Sequence, residues 1–412
     1  MRSVPPASAG GPNIRLLIEC LIHPLTQVVL TSLLVRPMTK KLRIGVIFGG
    51  RSGEHEVSVR SAGAVIQAID AGKYDVVPIA ITKAGNWLAP AAAAELLPAA
   101  TQRFLSSSTL SGKKEDVTIV GDPSRAGLMR LNRNGTPTEA IDVVFPVLHG
   151  TYGEDGTVQG LLEMAAIPFV GCGTLASACG MDKVVMKALF RNAGLPICDY
   201  EWFLRTEWES EPEKVSRRII RSIGFPAFVK PANLGSSVGI SKATDNASLA
   251  RSIDLAGRYD RKVIVETVVD GREIECAVMG NDKPQASLPG EYVIHDEAAR
   301  FLDYNEKYAG TGNVEFVVPA RIPKTTAKKI QQMAIQAFQS IDGSGLARVD
   351  FFLRPDGSLL LNEINTLPGL TDVSGFPKMW AASGIPFPSV IDQLIELAIE
   401  RHRERARNET SI

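Results

Sequence analysis

The chain has 412 residues, 45% of them hydrophobic and 22% charged, and its 45 Lys and Arg balance its 45 Asp and Glu to a net charge of zero. This is ordinary material for a soluble globular protein of about two to four domains. With no basic surplus to neutralise phosphates it argues against a nucleic-acid partner, and five scattered cysteines without metal-ligand spacing (Cys20, Cys172, Cys179, Cys198, Cys276) read as reduced thiols of a cytoplasmic protein.

Residues 1–37 differ from the rest. Cys20 to Val35 is an uncharged, mostly apolar run interrupted by His23, Pro24 and Gln27, shorter than the roughly 20 residues of a usual membrane span. Arg15 and Glu19 inside the region spoil a signal-peptide pattern. Met38 is the expected natural start, with the upstream segment a translation artefact. The alternative is a short membrane-associating or disordered extension.

Leu42–Phe48 predicts a short buried strand, the Gly-rich stretch Gly49 to Ser58 a turn, and the residues to about Ala71 a helix. The turn comes near a Walker A loop, but Arg51 stands where Lys is required and Gly45 falls inside the strand, which rejects that reading. A carboxylate such as Glu54 near a helix start is favourable in any case. Val76–Ile81 continues an α/β pattern. Residues 84–140, rich in Ala, Ser, Gly and Pro, predict poorly specified helix, loops and a hairpin, with no chemistry assigned. Val143–Leu148 predicts a buried strand running into His149-Gly150-Thr151-Tyr152-Gly153-Glu154-Asp155-Gly156. A lone His after a strand is more often structural, but open α/β sheets bind ligands at the C-terminal ends of their strands. Val158–Ala165 predicts a helix and Pro168–Val170 another short strand.

Ala176–Ala193 carries a helical pattern in which Lys183 and Lys187, four apart, share a face; the face is either merely solvated or phosphate-binding. Phe225–Pro231 predicts a strand ending in Lys230. It leads into Gly235-Ser236-Ser237-Val238-Gly239-Ile240, small residues suited to folding backbone N–H groups over phosphates. Strands are predicted over Lys262–Glu266, Ile274–Met279 and Glu291–Ile294. Phe301–Gly310 is too polar for a core strand and reads as a loop, with Tyr304 and Tyr308 covering apolar surface. Lys324–Ser340 predicts an amphipathic helix on Ile330, Ala334 and Ala337, and Phe387 to about Arg405 a closing helix.

Between those helices lies Ala347–Gly375, the most informative stretch. Two strand-like runs flank Pro355-Asp356-Gly357, a hairpin signal. A loop of Asp356-Gly357, or of Pro355 to Ser358, sets Asp350 opposite Glu363 and Arg348 opposite Asn365, all on one face. Paired positions lie roughly 4.5–5.5 Å apart at Cβ, so the two carboxylates repel unless one is protonated or a cation joins them. Carboxylate and amide oxygens suit a hard ion such as Mg2+. The plain alternative is a surface charge ladder, and a three-residue loop would break the register. Asn365-Thr366-Leu367-Pro368-Gly369 then leaves the strand as a rigid turn whose N–H groups can approach an anion.

Five motifs stand in order: G-G-x-S-x-E-x-E-V-S at 49–58, H-G-x-x-G-E-D-G at 149–156, Lys230-Pro231 followed by G-S-S-x-G, D-Y-x-x-K-Y at 303–308, and R-x-D with N-E-x-N-T-x-P-G between 348 and 369. Together they resemble the D-alanine–D-alanine ligases of the ATP-grasp superfamily, from about residue 42 to 400. The resemblance implies an α/β (mixed α+β) chain: an ATP-grasp fold preceded by an N-terminal doubly wound parallel-sheet domain. Its implied divisions are an extension at 1–37, a substrate domain at 38–175, and ATP-grasp subdomains at 176–266 and 267–405.

The same resemblance implies the roles. Glu54 holds the ammonium of the first D-alanine, with Val57 and His149 beside it; Ser236 links Glu54 to the substrate site. Lys187, Lys230, Ser236, Ser237 and Lys307 meet ATP phosphates, Glu266 and the backbone to Val269 read adenine, and Glu273 takes the ribose. Asp350, Glu363 and Asn365 hold Mg2+ or Mn2+, two ions, with K+ as a possible activator. Arg348 and the Gly369 backbone stabilise the tetrahedral intermediate, and Ser374 with Gly375 bind the second D-alanine, although many family members carry a bulkier apolar residue where Gly375 stands. Tyr308, on the mobile loop, joins the Glu54–Ser236 network and favours the dipeptide over a D-lactate ester. The implied activity is ATP-dependent formation of D-alanyl-D-alanine for peptidoglycan, by a cytoplasmic homodimer with no nucleic-acid or membrane partner. The alternatives are a D-Ala–D-Ser or D-Ala–D-lactate ligase, a different ATP-grasp carboxylate–amine ligase, and a nucleotide-binding regulatory protein without catalysis.

Overall fold

The structure, a computed structural model, describes residues 41–111, 113–125, 127–131, 137–294 and 314–409. The N-terminal extension and the polar loop carrying Tyr304, Lys307 and Tyr308 lie outside the described residues. The first sheet is built on β1 (Leu42–Gly49), which pairs in parallel with β2 (Tyr74–Ile81) on one side. The two-residue β3 (Trp87–Leu88) extends β2 antiparallel. A small antiparallel sheet of β4 (Val117–Ile119), β5 (Gly127–Arg130) and β6 (Pro137–Ala140) occupies part of the stretch that sequence left unspecified. Beyond it β7 (Val143–Val147) joins the other side of β1 in parallel. The strand expected at Pro168–Val170 is reduced to a single bridge between Phe169 and Val144.

β1 is apolar on both faces because both are covered, as expected of a parallel sheet. Ile44, Val46 and Phe48 pack against Val65 and Ile66 of the helix His55–Ala68 and against Leu394 and Ile395 of the helix Phe387–Arg405. Ile47 on the opposite face packs with Val158 and Leu162 of the helix Thr157–Met164. The closing helix also buries Ala277 and Leu346, so it covers the first sheet and the last together.

The second sheet is antiparallel: β8 (Tyr200–Leu204), β9 (Ala227–Pro231), β10 (Ser241–Ala243) and β11 (Lys262–Thr267), in the order β10-β9-β11-β8. The helices Pro212–Ser222 and Asn246–Gly257 cover one face. The expected helix over Ala176–Ala193 is two helices, Thr174–Met181 and Lys183–Asn192, broken at Asp182, whose carboxylate caps the second by accepting from the Val184 and Val185 N–H groups.

The third sheet contains β12 (Arg272–Gly280), β13 (Gln285–Ala286), β14 (Gly290–Ile294), β15 (Val314–Val317), β16 (Gly345–Leu353) and β17 (Leu359–Asn365), with the path β15-β14-β12-β16-β17. Helix Lys324–Ser340 seals one face through Ile330, Ala334, Ala337 and Phe338. Arg348 opposes Asn365 and Asp350 opposes Glu363, as the alternation predicts, but not through the expected loop. The turn is a three-residue loop: Arg354 and Ser358 pair, and Gly357 sits at φ 80°. That arrangement, a tight turn closed by a left-handed residue, is a standard hairpin end. It shifts the register by one at Phe351–Leu361, and a bulge at Asn362 shifts it back before Glu363. Among the described residues no helix is long and apolar enough to cross a membrane.

Candidate active site

The C-terminal ends of β1 and β7 deliver two loops to one place. Gly49 turns the first at φ 88°, where a Cβ would lie 2.3 Å from the Ile81 carbonyl, so only glycine fits. Ser52 donates to the His149 carbonyl at 2.6 Å and Ser58 to that of Val147, which stitches the loops together. The result brings Glu54, Val57, His149 and Glu154 to the wall of a cavity of about 1430 Å³. His149 is buried: its Nδ1 donates to the Leu367 carbonyl at 3.1 Å and lies 3.5 Å from Glu154, and its Nε2 is 3.1 Å from the Ser61 hydroxyl. Burial opposes its charged form, but the Glu154 contact and the charges of Glu154 and Glu54 outweigh it and hold the imidazole above its ordinary value.

The opposite wall comes from the β9–β10 loop. Ser236 and Ser237 adopt left-handed backbone (φ 53° and 57°), and the Ser236 hydroxyl donates to Glu54, 182 residues earlier. Burial, reinforced by the Glu154 carboxylate, pushes Glu54 above the usual carboxylate range, against the smaller pulls of His149, Ser236 and Lys183.

Deeper in, Glu266 is 3% exposed between two ammonium groups, Lys187 at 3.1 Å and Lys230 at 2.6 Å. Burial alone would raise it; the two lysines instead hold it down to about 2. Burial works against the Lys230 ammonium, but the charges of Glu266 and Glu363 raise its pKa. Lys187 is fully buried and does not face the cavity: it also donates to the Asn362 carbonyl, at 3.1 Å. Thr267 to Glu273 continue the wall, with Val269 and Glu273 both on it, and Phe228, Ile240 and Ile274 add apolar surface suited to a flat ring.

The floor is the β16–β17 face. Arg348 grips Asp350 with two hydrogen bonds, at 2.7 and 2.6 Å, and Asn365 donates to Asp350 at 3.0 Å. Arg348 also lies 3.2 Å from Glu275 on β12, and Glu363 lies 3.8 Å from Lys183. Gly369 completes the cavity, whereas Ser374 and Gly375 stand behind it. The Ser374 hydroxyl bonds to Thr371 at 2.7 Å, and a Cβ on Gly375 would lie 2.5 Å from Glu275 and 2.9 Å from Phe316. Among the described residues no three His, Cys, Asp or Glu side chains converge as a metal cage. Two carboxylates and an amide supply only part of an octahedral shell, which fits an ion that completes it with phosphate oxygens and water.

Sequence reasoning left Glu154, Glu275 and Arg272 without roles and Lys183 undecided, and all four line the cavity. Glu275 did leave a trace, a lone acid within the apolar run Ile274 to Met279.

Two family models match the chain in order, the D-ala D-ala ligase N-terminus over residues 43–172 and the D-ala D-ala ligase C-terminus over residues 189–396. The D-alanine–D-alanine ligase of Heliobacterium modesticaldum is 47% identical over 371 residues, 90% of this chain and 98% of that one. Among solved structures, the D-alanine–D-alanine ligase from Coxiella burnetii superposes with a TM-score of 0.73 at 38% identity, covering 89% of this chain and 98% of its own. The VanG D-Ala:D-Ser ligase from Enterococcus faecalis gives 0.75 at 36%, covering 87% and 100%. The mixed α/β architecture with its parallel N-terminal sheet is thus that of these neighbours, which have the ATP-grasp fold. Matched along both halves and at such identity over almost the full length of its relatives, the chain belongs to the D-alanine–D-alanine ligase family.

Proposed function

We propose that the chain is an ADP-forming ligase that joins two D-alanines into D-alanyl-D-alanine, the unit used in peptidoglycan precursors. One observation carries the reading: Ser236 of the phosphate-type loop bonds to Glu54 of the N-terminal turn, on the cavity that also holds Arg348, Asp350, Glu363 and Asn365. An acid for an ammonium group thus stands beside the groups suited to phosphoryl transfer.

Glu54, with Val57 and His149 beside it, holds the first D-alanine by its ammonium and leaves its carboxylate towards the nucleotide. That carboxylate attacks the γ-phosphorus of ATP, ADP departs, and D-alanyl phosphate forms. Lys230, Ser236 and Ser237 meet the phosphates. Glu266 and the backbone to Val269 orient adenine, with Lys187 fixing Glu266 from behind, and Glu273 takes the ribose. Asp350, Glu363 and Asn365 would hold Mg2+ or Mn2+, two ions, which would supply positive charge against the phosphates, with K+ the candidate activator. The amine of the second D-alanine, having lost a proton, attacks the acyl carbon, and phosphate departs. Arg348 and the Gly369 N–H stabilise the tetrahedral oxygen, while Ser374 and Gly375 shape the acceptor end. Lys307 and Tyr308 close the site in this reading. It carries with it a cytoplasmic homodimer divided into a substrate domain at 38–175 and ATP-grasp subdomains at 176–266 and 267–405.

The test is phosphate release from Mg-ATP with D-alanine, products identified by mass, beside L-alanine, D-serine and D-lactate mixtures. D-Alanyl-D-alanine is the expected product. The likeness to the D-Ala:D-Ser ligase makes D-serine the acceptor to watch: preference for it would overturn the acceptor and keep the chemistry. No release with any pair, from folded protein that still binds ATP, would sink the enzymatic reading.

A further inference from the structure

Glu275 is an acid in the middle of a buried strand. On β12 it lies opposite Asp350 of β16 on one side and opposite Gly290 of β14 on the other, and its side chain is 4% exposed. Side chains on one face of a sheet reach their diagonal neighbours, and Glu275 reaches Arg348: its Oε1 lies 3.2 Å from the Arg348 Nε. The same Nε donates to Asp350 Oδ1 at 2.7 Å, and Nη2 donates to Asp350 Oδ2 at 2.6 Å. The guanidinium therefore lies between two carboxylates on adjacent strands, with one N–H in reach of both.

The surroundings fix the Glu275 carboxylate. Gly290 leaves room for the Phe316 ring, which a Cβ there would meet at 2.4 Å. Phe316 and Glu275 together fill the space beside Gly375, where a Cβ would lie 2.9 Å from the ring and 2.5 Å from Glu275 Oε2. Gly375 is the first residue of the helix Gly375–Ala382, so the acid also faces a helix start, where negative charge is favoured. The two acids around Arg348 differ in their other duties. Asp350 is on the metal side of the reading above, and a carboxylate that shares its charge with a divalent ion holds a guanidinium less strongly. Glu275 is on a different strand and is not among the groups that would hold the ion.

We propose that Glu275 is a positioning residue: it holds the Arg348 guanidinium when Asp350 turns to the metal, and Gly375 leaves it the space to do so. The proposal deepens the reading above and rests on the roles given there to Arg348 and Asp350.

The experiment reads the Arg348 Nε–H by heteronuclear NMR of the full chain without ligand, assigned by its loss in Arg348→Lys, and follows its exchange with water. Asp350→Asn imitates an Asp350 whose charge the metal has taken. In that variant the Nε–H stays protected, and adding Glu275→Gln speeds its exchange about tenfold, the scale of one charge-assisted hydrogen bond. Adding Gly375→Ala to Asp350→Asn has the same effect, because the new methyl displaces the Glu275 carboxylate without altering either partner; this variant decides the matter where the double neutralisation fails to fold. In turnover, Glu275→Gln alone lowers kcat about tenfold and leaves KM for ATP unchanged. No further acceleration from either addition would overturn the proposal. So would faster exchange of backbone amides throughout the chain, as a loss of global stability, or a raised KM for ATP with kcat unchanged, which would make Glu275 part of the nucleotide wall. Because the exchange needs neither substrate nor metal, failure of the wild type to ligate D-alanine would sink the reading above and leave the exchange to decide the placing of Arg348 by Glu275.

Discussion

Two glutamates line one cavity, Glu266 buried and Glu54 partly so, and their acidities move in opposite directions. Glu266, on a strand, lies between Lys187 and Lys230 and is held down to about 2. Glu54, at a loop–helix junction, is pushed up by burial and by Glu154. Among the described residues no lysine or arginine forms an ion pair with it, and its hydrogen-bond donor is the neutral Ser236 hydroxyl. Burial penalises both anions; two lysines in direct contact outweigh it at Glu266, whereas at Glu54 the Glu154 carboxylate adds to it and His149, Ser236 and Lys183 offset it only in part. Glu266 is already satisfied and works as structure that also faces the nucleotide. Glu54 has no lysine or arginine in direct contact among the described residues, and the proposed substrate ammonium would fill that place.

The sharpest break of that contrast is at Glu363, which stands between the extremes, 3.8 Å from Lys183 and near enough to raise Lys230. Glu363→Gln keeps the side-chain shape and removes the charge that would hold a metal. ATP-dependent turnover should fall to background, about a thousandfold or more, with an unchanged circular dichroism spectrum and melting temperature. Wild-type turnover in that folded variant would remove the metal assignment.

Next in size is a pair of neutralisations that should separate stability from activity. Glu266→Gln leaves two lysines facing each other in a buried site and should cost about 3–5 kcal/mol of stability, measured by urea unfolding. Glu54→Gln leaves no orphaned cation, so its unfolding midpoint should match or exceed wild type. Its kcat/KM for D-alanine should fall about ten- to hundredfold, the worth of a charged hydrogen bond. Equal destabilisation by both variants would end the distinction between a satisfied and a waiting acid.

Sequence made the strand-borne half of the site legible and the loop-borne half only partly so. The alternation of β16 and β17 sets Arg348, Asp350, Glu363 and Asn365 on one face, and they are there. Yet the expected loop was wrong, and a bulge at Asn362 restores the register. Nothing in the character of Asn362 announces it: its carbonyl accepts from Lys187, 175 residues earlier, a contact available only after folding. Helical spacing left the Lys183–Lys187 face open and the resemblance gave Lys187 to phosphate; in the fold it is buried against Glu266 and the Asn362 carbonyl, neighbours that spacing along one helix does not report. Glu275 meets Arg348 through the pairing of β12 with β16, a register no local pattern fixes. Gly375 becomes intelligible only beside Glu275 and Phe316, which occupy the space a side chain there would need.

The smallest effect is a displacement along the pH axis, and it tests the contrast without mutating the site. Folding raises the Glu54 pKa, so Glu54 favours the folded state most at low pH and costs stability as pH rises through its folded value. Glu266 does the reverse: its contribution is present above the ordinary carboxylate range and is lost as pH falls towards about 2. Activity should follow Glu54, because only its anion can hold an ammonium group. The acid limb of kcat/KM for D-alanine should therefore lie above the ordinary glutamate value of about 4.3. Stability below that value should decline in wild type and much less in Glu266→Gln, which has no carboxylate left to protonate. Removing Glu154 as Glu154→Gln should move the activity limb towards acid while leaving the low-pH stability decline in place. An activity limb already at the ordinary value in wild type would mean that Ser236, His149 and Lys183 together cancel burial and Glu154, and the waiting acid would be no different in kind from the satisfied one.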